Sequence, residues 1–275
     1  MVFRLTKRRM VLTIVAFLAV VAAVVAGSIW LEIRAHHAYF ACRQNLQFIL
    51  GPAILSYRDS KGVYPGASTL SPGLPPHRRL SWLVEIFSSI GTSGISLAVS
   101  KDKPWNAPDN LPLKITVREK VSCCQTTYHT ILSKGFTFYE CPSRGASSSP
   151  GVPGPASYAG ITGLGKDSAY YPSDDPRIGV FGYDRPVAAS AILDGLSVTM
   201  MVAEAPLTGP WTATGSSTLR GLDPARNPYI GKGQQFGGFH RDGVMTLYAD
   251  GSVHFIRDTI SPKAFEALST IARGD

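Results

Sequence analysis

Twenty-two consecutive residues without a charge, Met10–Leu31, constrain this chain more than any other feature. Nearly all of them are apolar. As an α-helix advancing about 1.5 Å per residue, such a run is long enough to cross a bilayer core of roughly 30 Å. Arg4, Lys7, Arg8 and Arg9 precede the run, and Glu32 and Arg34 follow it. Cationic flanks stay in the cytoplasm, so the rest of the chain is expected on the other side. The favoured reading is a single-pass anchor in the cytoplasmic (inner) membrane. It has a basic flank at 1–9, a transmembrane helix at 10–31 and an extracytoplasmic C-terminal body. The run exceeds the roughly 7–15 apolar residues of a signal-peptide core. A cleaved signal competes with it, because Val24, Val25 and Ala26 before Gly27 offer small side chains for cleavage. A twin-arginine signal fits poorly, since Thr6-Lys7-Arg8-Arg9-Met10 lacks most of that motif. All three readings export the body.

About 240 residues lie beyond the anchor, enough to bury one sizeable core or two small ones. The net charge is +8, half of it in residues 1–34. The exported part carries no long basic run and no aromatic-rich basic module, so a nucleic-acid partner is not expected. Glycine and proline cluster in Gly62–Pro76, Pro104–Pro112 and Ser143–Pro155, marking a loop-rich fold without internal repeats. Just after the membrane, Leu46, Ile49, Leu50, Ala53 and Tyr57 recur at helical spacing. They predict a stalk helix over 32–60. Pro52 removes one backbone hydrogen bond and is expected to kink it.

The tail has its own signature. Phe239-His240, nine residues, then Asp250-Gly251 introduce the strand-like run Ser252–Ile256. The spacing predicts a β-meander over 236–257. Arg241-Asp242-Gly243 closes one turn and Asp250-Gly251 closes the other as a tight type I′ hairpin. In that register Thr246 and Tyr248 share a face with Val253 and Phe255, while Met245 and Leu247 share the other with His254 and Ile256. Both faces are largely apolar, so both are expected to be covered. His240, Asp242, Gly243, Asp250 and Gly251 are read as structural. His240 is expected to tie down its turn through a backbone hydrogen bond, well separated from Asp250. A C-terminal helix is expected over 262–272, with Ser261 as N-cap, Pro262 at its first position and Gly274 just beyond it.

This tail resembles that of the bacterial prepilin-type, pseudopilin-like proteins that end in a His-x9-Asp-Gly domain, the domain of unknown function family number 1559. Cys42-Arg43-Gln44-Asn45-Leu46, Tyr57, Gly62 and Tyr64-Pro65 are similar to that family's stalk block. Further matching pieces follow in the family's order. They include Cys141-Pro142-Ser143, Ser157-Tyr158-Ala159-Gly160, Asp194-Gly195-Leu196-Ser197 and Met201-Val202-Ala203-Glu204. The resemblance implies the pilin plan, in which a membrane helix extends into a stalk and lies along a β-rich head at 61–275. It implies no established reaction. One departure stands out. The family's usual leader run, Gly-Phe-Thr-Leu-x-Glu, has no counterpart near Arg9-Met10-Val11-Leu12-Thr13, so processing by prepilin peptidase and assembly into a fibre are not expected.

Cysteines number four: Cys42, Cys123, Cys124 and Cys141. An exported location permits disulfides. Cys42 and Cys141 both fall in blocks resembling the family, which favours their pairing. Cys123 with Cys141 is the rival, and four reduced thiols remain a third possibility.

Constellations that suggest chemistry each have a plainer account. Gly160-Ile161-Thr162-Gly163-Leu164-Gly165-Lys166 has the spacing of a phosphate-binding loop. However, Asp167 stands where a hydroxyl should meet magnesium, and a nucleotide is not expected. His36 and His37 are adjacent and point from different sides of a helix. No Gly-x-Ser-x-Gly elbow or His-Glu-x-x-His helix is present. Asp167, Asp174, Asp175 and Asp184 offer hard oxygen ligands in a Gly/Tyr/Pro-rich segment and are the weak calcium candidates, although their spacing matches no known calcium loop. No cofactor is expected. The reading is an α+β protein: an anchor and stalk helix, a loop-rich antiparallel pseudopilin-like head and a short C-terminal helix. It is taken to be a non-catalytic scaffold or interaction module, with the membrane and envelope or secretion-system proteins as partners. The alternative is an extracytoplasmic carbohydrate-binding or hydrolytic protein, suggested by Trp82, Trp105, Tyr170, Tyr171 and Trp211 in loops.

Overall fold

A computed structural model of the chain describes residues 7–90, 95–111, 113–120, 126–132, 137–144 and 153–272. Helix α1 spans Lys7–Gln44. Every residue from Met10 to Leu31 is exposed along it, so its apolar surface has no protein to pack against. This segment is long and apolar enough to cross a membrane. A wider π turn at Asn45–Leu50 follows, and α2 continues over Gly51–Lys61. The irregularity sits immediately before Pro52, where the missing N–H breaks the regular ladder; Gly51 donates instead to the Leu46 carbonyl, one residue further back. Gly62 then adopts a left-handed conformation (φ 76°) and closes α2 by donating to the Arg58 carbonyl at 2.7 Å.

The expected stalk stripe is largely present. Leu46, Leu50 and Ala53 are fully buried, Ile54 joins them, and Ile49 and Tyr57 are half-buried. Beyond the stalk, the short helix α3 (Trp82–Glu85) leads to a small antiparallel sheet of β1 (Ile95–Ala98), β2 (Lys114–Lys120) and β3 (Thr126–Leu132). The main sheet is built from β4 (Tyr158–Leu164), β5 (Met200–Glu204), β6 (Leu219–Leu222), β7 (Gly243–Tyr248) and β8 (Val253–Arg257). Its order is β6-β4-β5-β7-β8, and all neighbours are antiparallel except β4 and β6. Helix α4 (Pro262–Ala267) ends the described chain's regular structure.

β5 and β7 are buried at every position, which explains why they read as nearly continuous apolar runs rather than alternating ones. One cover is the stalk. A Cβ added to Gly51 would lie 3.2 Å from a Leu247 methyl, so the helix backbone rests directly on the β7–β8 hairpin. The Tyr64 hydroxyl, just past α2, donates to the Ala249 carbonyl at 2.6 Å and pins the hairpin's tip. Trp82 closes part of the core by donating its indole N–H to the Thr218 carbonyl at 2.9 Å.

Three expectations about the tail are corrected. First, Asp250-Gly251 does not form a two-residue type I′ turn. Gly251 alone takes a positive φ (90°), and Tyr248 N–H donates to Ser252 across a three-residue loop. Register therefore slips by one: Met245 faces Phe255, Thr246 faces His254 and Leu247 faces Val253. In a strand, one residue's slip moves every side chain to the other face. Second, only the hairpin half of the meander forms. His240 meets Gly243 in a single bridge, Asp242 takes the positive φ (64°), and β7's other neighbour is β5. Coverage of both faces holds for β7, whereas β8, at the sheet's edge, is buried only at Ile256. Third, the C-terminal helix stops at Ala267 rather than 272. Ser261 does cap it, accepting from Ala264 N–H at 3.2 Å. Its end is decided by tertiary bonds, because Ile271 N–H donates to Ile178 and the Ile271 carbonyl accepts from Leu193. Gly274 lies outside the described residues.

Candidate functional site

The most heavily constrained polar cluster lies where the stalk crosses the head. Cys42, near the end of α1, is bonded to Cys141, just before a short turn at Pro142–Arg144. Their Cα atoms are 5.4 Å apart, inside the range a disulfide requires. This is the pairing favoured from the resemblance. Cys123 and Cys124, and with them the rival pairing, lie outside the described residues.

Beside the disulfide is an acid–imidazole pair. Glu204 ends β5 and is fully buried. Its Oε1 accepts from His240 Nε2 at 3.0 Å, and its Oε2 accepts from Met245 N–H at 2.9 Å. The His240 side chain is only 5% exposed, and its Nε2 lies 3.6 Å from Cys141 Sγ. Tyr39 of α1 packs edge-on against the imidazole, with ring centroids 5.6 Å apart, and covers Phe255 as well. Asn45, in the π turn, donates to the Tyr158 hydroxyl and to the Glu140 carbonyl, each at 3.3 Å. Burial, reinforced by the Glu204 charge, pushes the Tyr158 phenol well above its ordinary pKa. The cluster thus joins the stalk, the Cys141 turn, β4, β5 and the approach to β7.

The contact that His240 makes differs from the one expected. It clamps the Glu204 carboxylate instead of bonding its own turn's backbone. Sequence reasoning missed Glu204, although a clue was present. It is the one charge closing the run Met200–Ala203, and a carboxylate carried into a core by such a strand must find partners. Asp250 sits at the far end of β7 and bonds Ser252 through its Oδ1, at 2.8 Å to the N–H and 2.6 Å to the hydroxyl. Asp242 and Gly243 form the turn after His240.

Cys42, Cys141, Glu204 and His240 present ligand atoms within 4.8 Å of one another. That donor set, two sulfurs with one imidazole and one carboxylate, suits a tetrahedral zinc ion. With the disulfide closed, however, neither sulfur is a thiolate, and two donors remain. In this state the cluster is a clamp. The weak calcium candidates do not converge among the described residues. Asp175 is held by Arg177, Nη2 to Oδ2 at 2.7 Å, and this pairing lowers its pKa. Asp184 pairs with Arg79 at 2.6 Å, Asp174 is exposed, and Asp167 lines a separate cleft. The segment with phosphate-loop spacing is largely strand β4 rather than a loop. Of the five aromatics considered for stacking, Trp82 and Trp211 are buried and Trp105 packs against the core. Tyr171 is half-buried with Arg177 over its ring, so only Tyr170 stands out, 59% exposed.

A family model described as a protein of unknown function (DUF1559) matches residues 40–221 and 208–263. No curated protein and no solved structure matches the chain. The matched region takes in Cys42, Cys141, Glu204 and His240, the four residues of the junction. Since the match covers most of the sequence, the chain belongs to the DUF1559 family of proteins of unknown function.

Proposed function

We propose that this protein is a membrane-anchored, pseudopilin-like scaffold whose extracytoplasmic head is presented to envelope partners in a fixed orientation, without catalysis. The clamp at the stalk–head junction carries this reading. Cys42 belongs to the same continuous helix as the apolar run and is bonded to the head at Cys141. A tether that only had to retain a domain would need no more than a flexible linker. A rigid helix, covalently bonded to the head and packed under its hairpin, fixes the head's direction relative to the bilayer. Phe40 and Phe48 remain exposed on the stalk, at 45% and 66%, and offer apolar contacts to a neighbour in the envelope. The buried His240–Glu204 pair supports a non-catalytic role, because its side chains are only 5% and 0% exposed and Tyr39 packs against the imidazole.

Fractionation and crosslinking test the proposal. The full-length protein is expected to stay in the membrane after carbonate washing, with its head open to protease added from the periplasmic side. A photo-crosslinking residue at Phe48 is expected to trap a discrete envelope protein or a second copy. A released form beginning near Gly27, or a protease-protected head, would overturn the anchored reading. A membrane-bound protein with no crosslink from the stalk would overturn the scaffold.

A further inference from the structure

On the side of the head formed by β6, a cleft of about 480 Å3 adjoins a second of about 260 Å3, and the two share Ser216, Arg220, Arg226 and Gln235. Their combined size is within the range of small-molecule sites, roughly 300–1,000 Å3. The charge in them is unusual. Arg220 projects from β6, and its Nε is buried with no hydrogen-bond acceptor among the described residues. Neither Arg220, Arg226 nor Lys166, which also lines the larger cleft, belongs to an ion pair among the described residues. Burial, with the Arg226 charge acting in the same direction, lowers the Arg220 pKa. Arg220 is half-buried, so part of its charge is out of water without an ion-pair partner among the described residues, which is costly, and a second cation beside it adds to that cost.

Arg226 is nevertheless held in place. Its turn, Pro224–Arg226, is capped by the Asp223 carboxylate, which accepts from Ala225 N–H at 3.1 Å. The buried Gln235 side chain accepts from Asp223 N–H at 2.9 Å and donates to the Asp223 and Arg226 carbonyls at 3.0 and 3.2 Å. The backbone carrying the second arginine is thus held by several hydrogen bonds, while its guanidinium makes no ion pair among the described residues. On the cleft wall stands Tyr170, the exposed aromatic, braced by Tyr183 at 4.7 Å between ring centroids. Asp167 and Asp223 add acceptors suited to hydroxyl groups.

We propose that this cleft binds an acidic saccharide, its carboxylate or phosphate seated on Arg220 and Arg226 and its ring lying against Tyr170. Arginine's planar fork matches both oxyanions in a two-bond geometry, and an aromatic face packs against the C–H face of a sugar. The site is argued independently of the scaffold role, since the residues lining it are not those of the stalk clamp.

Isothermal titration of the detergent-solubilised full chain tests it, using glucuronate, glucose 6-phosphate, inorganic phosphate and glucose as separate probes. Saturable binding of glucuronate or glucose 6-phosphate is expected, weakening as salt rises, and whichever binds more tightly identifies the carboxylate or the phosphate ester as the anion. Arg220→Gln and Arg226→Gln are each expected to weaken binding at least tenfold. Arg226 lies on an exposed turn, so its variant keeps the fold and its melting curve serves as the control. Binding of inorganic phosphate as tight as that of glucose 6-phosphate would remove the saccharide from the proposal. Equal affinity for glucose, unchanged binding in both variants, or no saturable binding by either acidic sugar at millimolar concentration would overturn it.

Discussion

At the stalk–head junction the Glu204 carboxylate is fully buried and both its oxygens are occupied, whereas in the cleft the Arg220 Nε is buried with no acceptor among the described residues. The two regions lie on the same sheet and use the same kind of chemistry, a charge taken out of water. They differ in whether the chain itself supplies the partner. A paired buried charge fixes one arrangement and holds it, while an unpaired one leaves a binding energy to be collected from outside. The two proposals follow this contrast, a mechanical role for the paired region and recognition for the unpaired one.

Removing the clamp is the most severe way to break that comparison. Cys42→Ser with Cys141→Ser opens a loop of 99 residues. In the chain-entropy model such a loop is worth up to about 4.7 kcal/mol. Denaturant unfolding of the full chain in detergent should show a loss of several kcal/mol, matched by reducing the wild type. A double variant as stable as the wild type would reduce the disulfide to an ornament and leave the stalk held by packing alone.

Glu204→Gln should come next, at roughly 3–5 kcal/mol, the usual cost of breaking a buried pair by changing one partner. His240→Ala should behave similarly, since it strips the Glu204 carboxylate of one of its two partners. Both values exceed the ~1 kcal/mol that a simple turn residue would carry. A loss of that smaller size in both variants would show that water reaches the pair.

Asp250→Ala tests the hairpin apart from the clamp. Its effect should be on the order of 1 kcal/mol, from losing the side-chain acceptor for Ser252 N–H rather than from any positive φ at Asp250. Gly251→Ala should cost at least as much, because Gly251 sits at φ 90° and a Cβ there would meet Leu55 at 2.7 Å. If Asp250→Ala proved the costlier of the two, the three-residue loop would be the wrong description.

The smallest stability effect should come from the cleft. Arg220→Gln removes an unpaired cation, so stability is expected to change by no more than about 0.5 kcal/mol, or to rise. A large loss in thermal unfolding would place Arg220 with Glu204 as part of the framework and would erase the contrast between the two regions.

Legibility in the sequence followed the range of the interaction. The Met10–Leu31 run, the Leu46/Leu50/Ala53 stripe, the Ser261 cap and the α+β architecture were readable because each depends on neighbours a few residues apart. The Cys42–Cys141 bond was favoured only through resemblance to a family, since spacing alone permits other pairings. The hairpin shows where local reading failed. Asp-Gly announced a turn correctly, but two- and three-residue loops share that dipeptide, and the choice reversed every face of β7 against β8. The packing of Leu55 and Tyr64 against the loop accompanies the outcome that tertiary structure selected.

What the sequence determined by itself was therefore everything set by chain direction and local periodicity: a long bare helix at one end, a loop-rich β head, and turns at the right places. What only the tertiary structure decided was which charges meet. Glu204 and His240 are separated by 36 residues and Arg220 from Lys166 by more than fifty, and the chain does not name the partner that Glu204 finds or mark the site at Arg220 as open. Electrostatic pairing in a core is fixed by distance in space and by exclusion of water, and both come into being only when the strands that carry the charges are packed.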